Sequence, residues 1–289
     1  MIELGPLGLG TAPLAGLYEP LDEEAAYAVV DRAWELGIRY FDTAPLYGSG
    51  LAERRLGAAL NGKPRDEYVV STKVGRLLAP GASGWDGSYF DFSADAALRS
   101  LEGSLERLGL DGVDVALVHD PDDHYDEALA GALPALLRLR DEGVVRAVGV
   151  GMNQTAMLAR FAREADPDCV LVAGRYTVVD RTASDELLPL CEERRIGVIA
   201  GGVFNSGILA GGTTFDYETA PAGVVARVAE LRETCGRRGV PLAAAAVQFP
   251  RRHPAVVNVL VGCRTAAELE DDVRLFELDL PQDLWEELG

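Results

Sequence analysis

The strongest constraint on this chain is an alternation, sustained almost from end to end, between short β-rich runs and amphipathic stretches. Runs with strand character fall at 7–11, 38–41, 68–73, 113–118, 145–150, 169–173, 196–200 and 256–261, eight in all. The segments between them repeat apolar residues at helical spacing. Within 22–36, Ala25, Val29, Ala33 and Leu36 share a face, and within 95–108 Leu98, Leu101, Leu105 and Leu108 do the same. Gly37 and Gly109 follow these two runs, where helices commonly end. Strands separated by helices pair in parallel, and parallel strands need cover on both faces. The expected fold is therefore α/β, a closed (β/α)8 TIM barrel, with an open doubly wound sheet as the alternative.

No stretch of the 289 residues reads as a linker, so one barrel domain over 1–289 is expected. A net charge of -19, from 46 acidic and 27 basic residues, repels phosphate backbones and anionic lipid headgroups. Neither nucleic acid nor a membrane is expected as a partner. Cys169, Cys191, Cys235 and Cys263 are widely spaced, with no CxxC pair, and read as small packing residues. The opening MIELGPLGLG has no basic segment followed by an apolar core, so a reduced, cytoplasmic protein is expected.

Four polar residues stand at or just beyond strand ends: Asp42 after IRYF, Tyr47 in the next loop, Lys73 closing YVVSTK, and His119 after VDVALV. In a barrel these positions converge on one mouth. Hydride transfer to a carbonyl creates an alkoxide that needs a proton, and the reverse reaction must remove one from a hydroxyl. A tyrosine does either when a nearby cation stabilises its phenolate and lowers its pKa from about 10. Lys73 is suited to be that cation, Asp42 to hold the ammonium, and His119 to hydrogen-bond the substrate oxygen. Taken singly, each has a plainer use as turn cap, strand-edge lysine or structural histidine; their joint placement favours chemistry.

FDTAPLYGSGLAERRLG, VVSTKVG and ALVHD are similar to three signature regions of the aldo-keto reductases, in that family's order. The resemblance implies that Asp42, Tyr47, Lys73 and His119 are catalytic, with Tyr47 the acid/base and no metal. It also implies a nicotinamide bound across the barrel mouth without a Rossmann domain. VHDPDDH, AGRYTVVDR and GGVFNSGILAGG resemble the bacterial sugar-oxidising branch, the D-threo-aldose and L-fucose dehydrogenases. The implied reaction is oxidation of an aldose at C1 to the lactone. A pyridoxal 4-dehydrogenase or general aldehyde reductase is the alternative, and a non-catalytic nicotinamide-binding regulatory subunit the alternative of another class.

The chain departs from the family pattern around the cofactor. Met152-Asn153 replaces a common Ser-Asn, leaving Asn153 for the carboxamide; Ala173 or Gly174 stands where glutamine is frequent; Gly201 replaces a stacking tyrosine, with Phe204 the nearest aromatic. Gly262 and Glu268 stand where NADP-using relatives place Lys and Arg, while Arg264 remains as one cation. A 2′-phosphate is best held by basic groups, so NAD is expected over NADP. Two irregular segments, 76–92 and 201–220, follow strands and should shape the substrate site, with Asp86, Tyr89, Arg175 and Asn205 as candidate sugar contacts. GLGTAPLAG lacks the full dinucleotide fingerprint and reads as a loop leading into the barrel. His124 with Asp122, Asp123 and Asp126 reads as a solvated loop rather than a metal site.

Overall fold

The computed structural model describes residues 3–17 and 19–289. Eight parallel strands close a barrel in chain order: β1 (Leu7–Gly10), β2 (Tyr40–Asp42), β3 (Val69–Val74), β4 (Val115–His119), β5 (Ala147–Met152), β6 (Cys169–Ala173), β7 (Gly197–Gly201) and β8 (Val256–Val261). Strand β8 pairs back onto β1, with Leu7 opposite Val259, and this closure excludes the open sheet. Each strand lies within two residues of its expected limits.

Helices α1 (Glu23–Glu35), α2 (Leu51–Leu60), α3 (Ala94–Leu108), α4 (Leu133–Asp141), α5 (Thr155–Glu164), α6 (Leu187–Arg194), α7 (Ala222–Arg237), α8 (Leu242–Gln248), α9 (Ala266–Glu277) and α10 (Gln282–Leu288) follow in chain order. The Asp22 side chain caps α1 by accepting from Ala25 N at 2.7 Å, and Ser93 caps α3 by accepting from Ala96 N. Gly37 and Gly109 both follow with positive φ, +82° and +65°. The buried face of α3 is built from small residues as well as leucines, Ala97, Ser100 and Ser104 beside Leu101 and Leu108. Small side chains bring helices close. At Gly57 of α2 an added Cβ would stand 1.9 Å from the Leu108 carbonyl oxygen.

Strand side chains alternate between the barrel interior and the helical layer. The interior holds Tyr40, Val115, Leu117, Cys169, Leu171 and Ile199, among others, as a cluster separate from the larger one under the helices. Gly8 makes room for Tyr40, since a Cβ there would lie 2.7 Å from that ring. Carried to the C-terminal ends, the same alternation assigns the mouth to Gly10, Asp42, Lys73, His119, Gly151, Ala173 and Gly201. Three adjacent strands present polar groups there. The others present little or no side chain.

The two irregular segments contain hairpins. Arg76–Leu78 pairs antiparallel with Ser88–Phe90, and Thr214–Phe215 with Glu218–Thr219. Among the described residues, no helix is long and apolar enough to cross a membrane.

Candidate active site

The loops at the mouth are tied to the barrel wall. Thr11 donates to the Asp42 carbonyl from both its backbone N and its hydroxyl, each at 2.9 Å, so β1 fixes the end of β2. The fully buried carboxylate of Glu53, on α2, accepts from Thr72 Oγ1 at 2.8 Å and from Arg107 Nε at 2.5 Å. Thr72 precedes Lys73, so this contact fastens the end of β3 to the helix that follows Tyr47. A buried charge left unpaired would be costly, which makes the arrangement rigid.

The structure brings Asp42, Tyr47, Lys73 and His119 together from two strand ends, a loop and a third strand end. Lys73 Nζ donates to Asp42 Oδ2 at 2.6 Å, to the Thr43 carbonyl at 2.9 Å and to Tyr47 Oη at 3.1 Å. An ammonium has three N–H groups, and all three are used. The other oxygen of Asp42 accepts from Ser71 Oγ at 2.7 Å, and Ser71 in turn lies 2.9 Å from the Tyr40 hydroxyl. Because Ser71 gives its proton to Asp42, Tyr40 must donate to Ser71. One directional chain thus runs from Tyr40 through Ser71 to Asp42, which both Ser71 and Lys73 address, and Lys73 also donates to Tyr47.

Electrostatics follow from this burial. Lys73 and Asp42 are 2% and 3% exposed, so the ion pair is nearly cut off from solvent. Burial opposes the charge on Lys73, but Asp42 and Tyr47 outweigh it and hold the ammonium above its ordinary pKa. Tyr47 sits above the ordinary phenol value because burial raises it, while Lys73 pulls it down and Asp42 adds to the rise. Burial outweighs the lowering by Lys73 expected from sequence. His119 is pushed down to about 3, first by burial, with the charges of Lys73 and Arg76 acting the same way against Asp120. Its imidazole is neutral at physiological pH. The ring stands edge-on to Tyr47, with centroids 6.1 Å apart, and its Nδ1 is buried without a partner among the described residues.

Three further residues close around Tyr47 that the sequence argument did not single out. Trp85, at the tip of the first hairpin, lies over the Tyr47 ring at 5.9 Å. Ser49 Oγ donates to the Gly84 carbonyl at 2.9 Å, tying that tip to the Tyr47 loop. Asp120, next to His119, is paired through Oδ2 with Arg76 Nη1 at 2.7 Å. A tryptophan inside an irregular, glycine-rich segment was the available signal for Trp85; the Asp120 position follows from a backbone turn that periodicity does not reveal.

The remaining candidates are placed as follows. Asn153 lies just beyond β5, and its amide makes no hydrogen bond among the described residues. Phe204 is partly buried against the outer core. Gly262 has little room for a side chain, since a Cβ would meet Pro13 Cγ at 3.0 Å. Arg264 is paired with Glu19 at 2.6 Å, and Glu268 accepts from the Arg264 backbone N at 2.8 Å at the start of α9. Glu268 therefore has a helix-capping use alongside any contact with a cofactor. Of the candidate sugar contacts, Asp86 and Tyr89 are exposed on the first hairpin. Arg175 bridges Asp180 and Asp216, and Asn205 is buried, donating to the Gly174 carbonyl at 2.9 Å.

The mouth is shaped for a flat ring such as a nicotinamide. The strand ends across from Lys73 carry only Gly151, Ala173 and Gly201, and a Cβ on Gly201 would make ordinary contact with Leu171 at 3.5 Å. A flat ring can lie against such a surface. Thr43 Oγ1 and Asn205 Oδ1 are buried without partners among the described residues, and a buried orphan costs about 1–3 kcal/mol unless a ligand or water satisfies it. With the free amide of Asn153, these groups fit a carboxamide-bearing ring.

The Aldo/keto reductase family matches residues 6–289. The chain is 43% identical over 304 residues to a D-threo-aldose 1-dehydrogenase from Pseudomonas sp, covering 98% of this chain and 92% of that protein. It is 41% identical over 313 residues to a pyridoxal 4-dehydrogenase from Microbacterium luteolum, covering 96% and 91% respectively. The holo form of an aldo-keto reductase from Bacillus halodurans superposes with a TM-score of 0.83 at 26% identity, covering 99% of this chain and 94% of that one.

Proposed function

Because this chain belongs to the aldo/keto reductase family and is a nicotinamide-dependent oxidoreductase, we propose that it oxidises an aldose, in its lactol form, at C1 to the lactone. The observation that carries the chemistry is the 3.1 Å hydrogen bond from Lys73 Nζ to Tyr47 Oη. When bound, the nicotinamide supplies the hydride acceptor, and Asn153, Thr43 and Asn205 are the residues that would hold it. Tyr47 takes the proton of the anomeric hydroxyl. Lys73 stabilises the phenolate form of Tyr47 that accepts this proton, and Asp42 keeps Lys73 charged and in place. Neutral His119 donates one hydrogen bond to the substrate oxygen, and Trp85 limits water above Tyr47.

Pyridoxal oxidation is the second reading, favoured by the likeness to the Microbacterium protein. The regulatory-subunit alternative finds no support in these dehydrogenase relatives. A panel of aldoses, pyridoxal and simple aldehydes, each assayed with NAD and NADP, separates the readings. An aldose with the highest kcat/KM supports the first; pyridoxal or an unfunctionalised aldehyde ahead of every aldose refutes it.

NAD is the preferred cofactor in this proposal. The Arg264 guanidinium is already engaged by Glu19 and Glu268, and Gly262 lacks the room for a longer side chain. A 2′-phosphate would have to displace those carboxylates. A cytoplasmic setting fits the four free, buried cysteines, Cys169, Cys191, Cys235 and Cys263.

A further inference from the structure

Asp120 stands at the reacting centre without a part in proton transfer. It directly follows the lumen-facing His119, so in a regular strand its side chain would turn outward to the helical layer. Instead its φ is +46°, a left-handed conformation that costs a non-glycine residue on the order of 1 kcal/mol or more. Its backbone N still donates to the Gly151 carbonyl at 2.9 Å. This turn leaves the carboxylate at the mouth, with Oδ2 3.6 Å from His119 Nε2 and 2.7 Å from Arg76 Nη1. The Arg76 guanidinium lies over the Phe90 ring at 5.1 Å, so the first hairpin sets the pair in place. Oδ1 has no partner among the described residues, and the side chain is 30% exposed.

The charge of Asp120 works against the chemistry of its neighbours. It raises the pKa of Tyr47 and opposes the lowering at His119. A carboxylate that hinders phenolate formation, in a strained backbone position and held by a dedicated arginine, calls for a purpose outside the proton path. A carboxylate accepts hydrogen bonds and offers none. The substrate group it suits is a hydroxyl.

We propose that Asp120, positioned by Arg76, is a specificity-determining residue whose carboxylate accepts a hydrogen bond from the substrate hydroxyl on the carbon next to the reacting one. This rests on the aldose reading above and extends it. With His119 Nε2 on the reacting oxygen, the carboxylate only 3.6 Å away is within reach of an oxygen on the adjacent carbon. A substrate without that hydroxyl leaves the charge unpaired in a partly desolvated site, which is how polar pockets reject deoxy analogues.

The test compares an aldose with its 2-deoxy analogue in oxidation, and glycolaldehyde with acetaldehyde in reduction, for wild type, Asp120→Asn and Asp120→Gly. Both substitutions tolerate positive φ, and thermal melting verifies that each variant folds. Wild type is expected to favour the hydroxylated member of each pair by about tenfold or more. The ratio should fall toward one in Asp120→Gly and part-way in Asp120→Asn, which keeps an acceptor without the charge; Arg76→Met should reduce it too. An equal fall for both members of a pair, or an unchanged ratio, overturns the proposal. If wild type oxidises no aldose yet its glycolaldehyde preference depends on Asp120, the aldose reading fails while the role of Asp120 stands.

Discussion

Lys73 spends its third hydrogen bond on the oxygen of Tyr47, 3.1 Å away, and that contact decides where the phenol's own proton goes. With its oxygen addressed by an ammonium from below, Tyr47 can donate only toward the open mouth. Asp42 and the Thr43 carbonyl take the other two protons of Lys73, so the ammonium cannot swing away without breaking buried bonds. The same set of contacts serves reduction, where Tyr47 gives a proton, and oxidation, where it receives one.

Lys73→Met removes the cation that pulls the Tyr47 pKa down, leaving burial and Asp42 to raise it unopposed by that charge. Oxidation needs the phenolate, so its rate should climb with pH in wild type. In the variant that climb should move to higher pH, or oxidation should vanish. An active variant with an unchanged pH profile would contradict the pairing.

His119 is neutral at any pH above about 3, because burial disfavours its charged form. The pH profile of kcat/KM should therefore show no limb between pH 5 and 8 that disappears in His119→Gln. Such a limb near 6.5, lost in the variant, would mean that the imidazole titrates during turnover.

Asp272, on α9, accepts a hydrogen bond from Cys263 Sγ at 3.2 Å, and burial pushes its carboxyl up to about 6. A folded-state pKa above the unfolded value of about 3.9 means the native protein holds this proton more tightly. The ionisation penalty is absent below pH 4, grows between 4 and 6, and is complete above 6. Asp272→Asn keeps the acceptor and should raise Tm by about 2–6 °C at pH 8, a gain on the order of 1–2 kcal/mol, with no difference near pH 4. An equal shift at both pH values would rule out this origin.

Glu268→Arg exchanges a repelling carboxylate for a guanidinium and frees Arg264 from one of its two acidic partners. The kcat/KM ratio of NADP to NAD should rise at least tenfold, about 1.4 kcal/mol. Thr265 remains the cap of α9, so losing the contact from the Glu268 carboxylate to the Arg264 backbone N should lower stability by less than the roughly 1 kcal/mol of a full cap. A wild-type kcat/KM tenfold higher with NADP would refute the proposed preference.

The barrel was legible because parallel strands and their cover leave a strong mark on sequence, and strand alternation carries Asp42, Lys73 and His119 to one mouth. Tyr47 was legible through the family signature rather than through any period. The hairpins at 76–90 and 214–219 were not, since their short strands are partly exposed and show no alternation. Arg175 illustrates the limit for single residues: its place after β6 suggests a sugar contact, and no period reveals that it also pairs with Asp180 and Asp216. Asp120 was missed because only a positive φ returns it to the site.

Tyr47→Phe keeps the ring beneath Trp85 and removes the atom that carries the proton. Turnover should fall by about 10²–10⁴ in both directions, while nicotinamide binding, read by quenching of NADH fluorescence, stays close to wild type. A variant retaining more than about half of wild-type kcat would contradict the assignment of Tyr47 as acid and base.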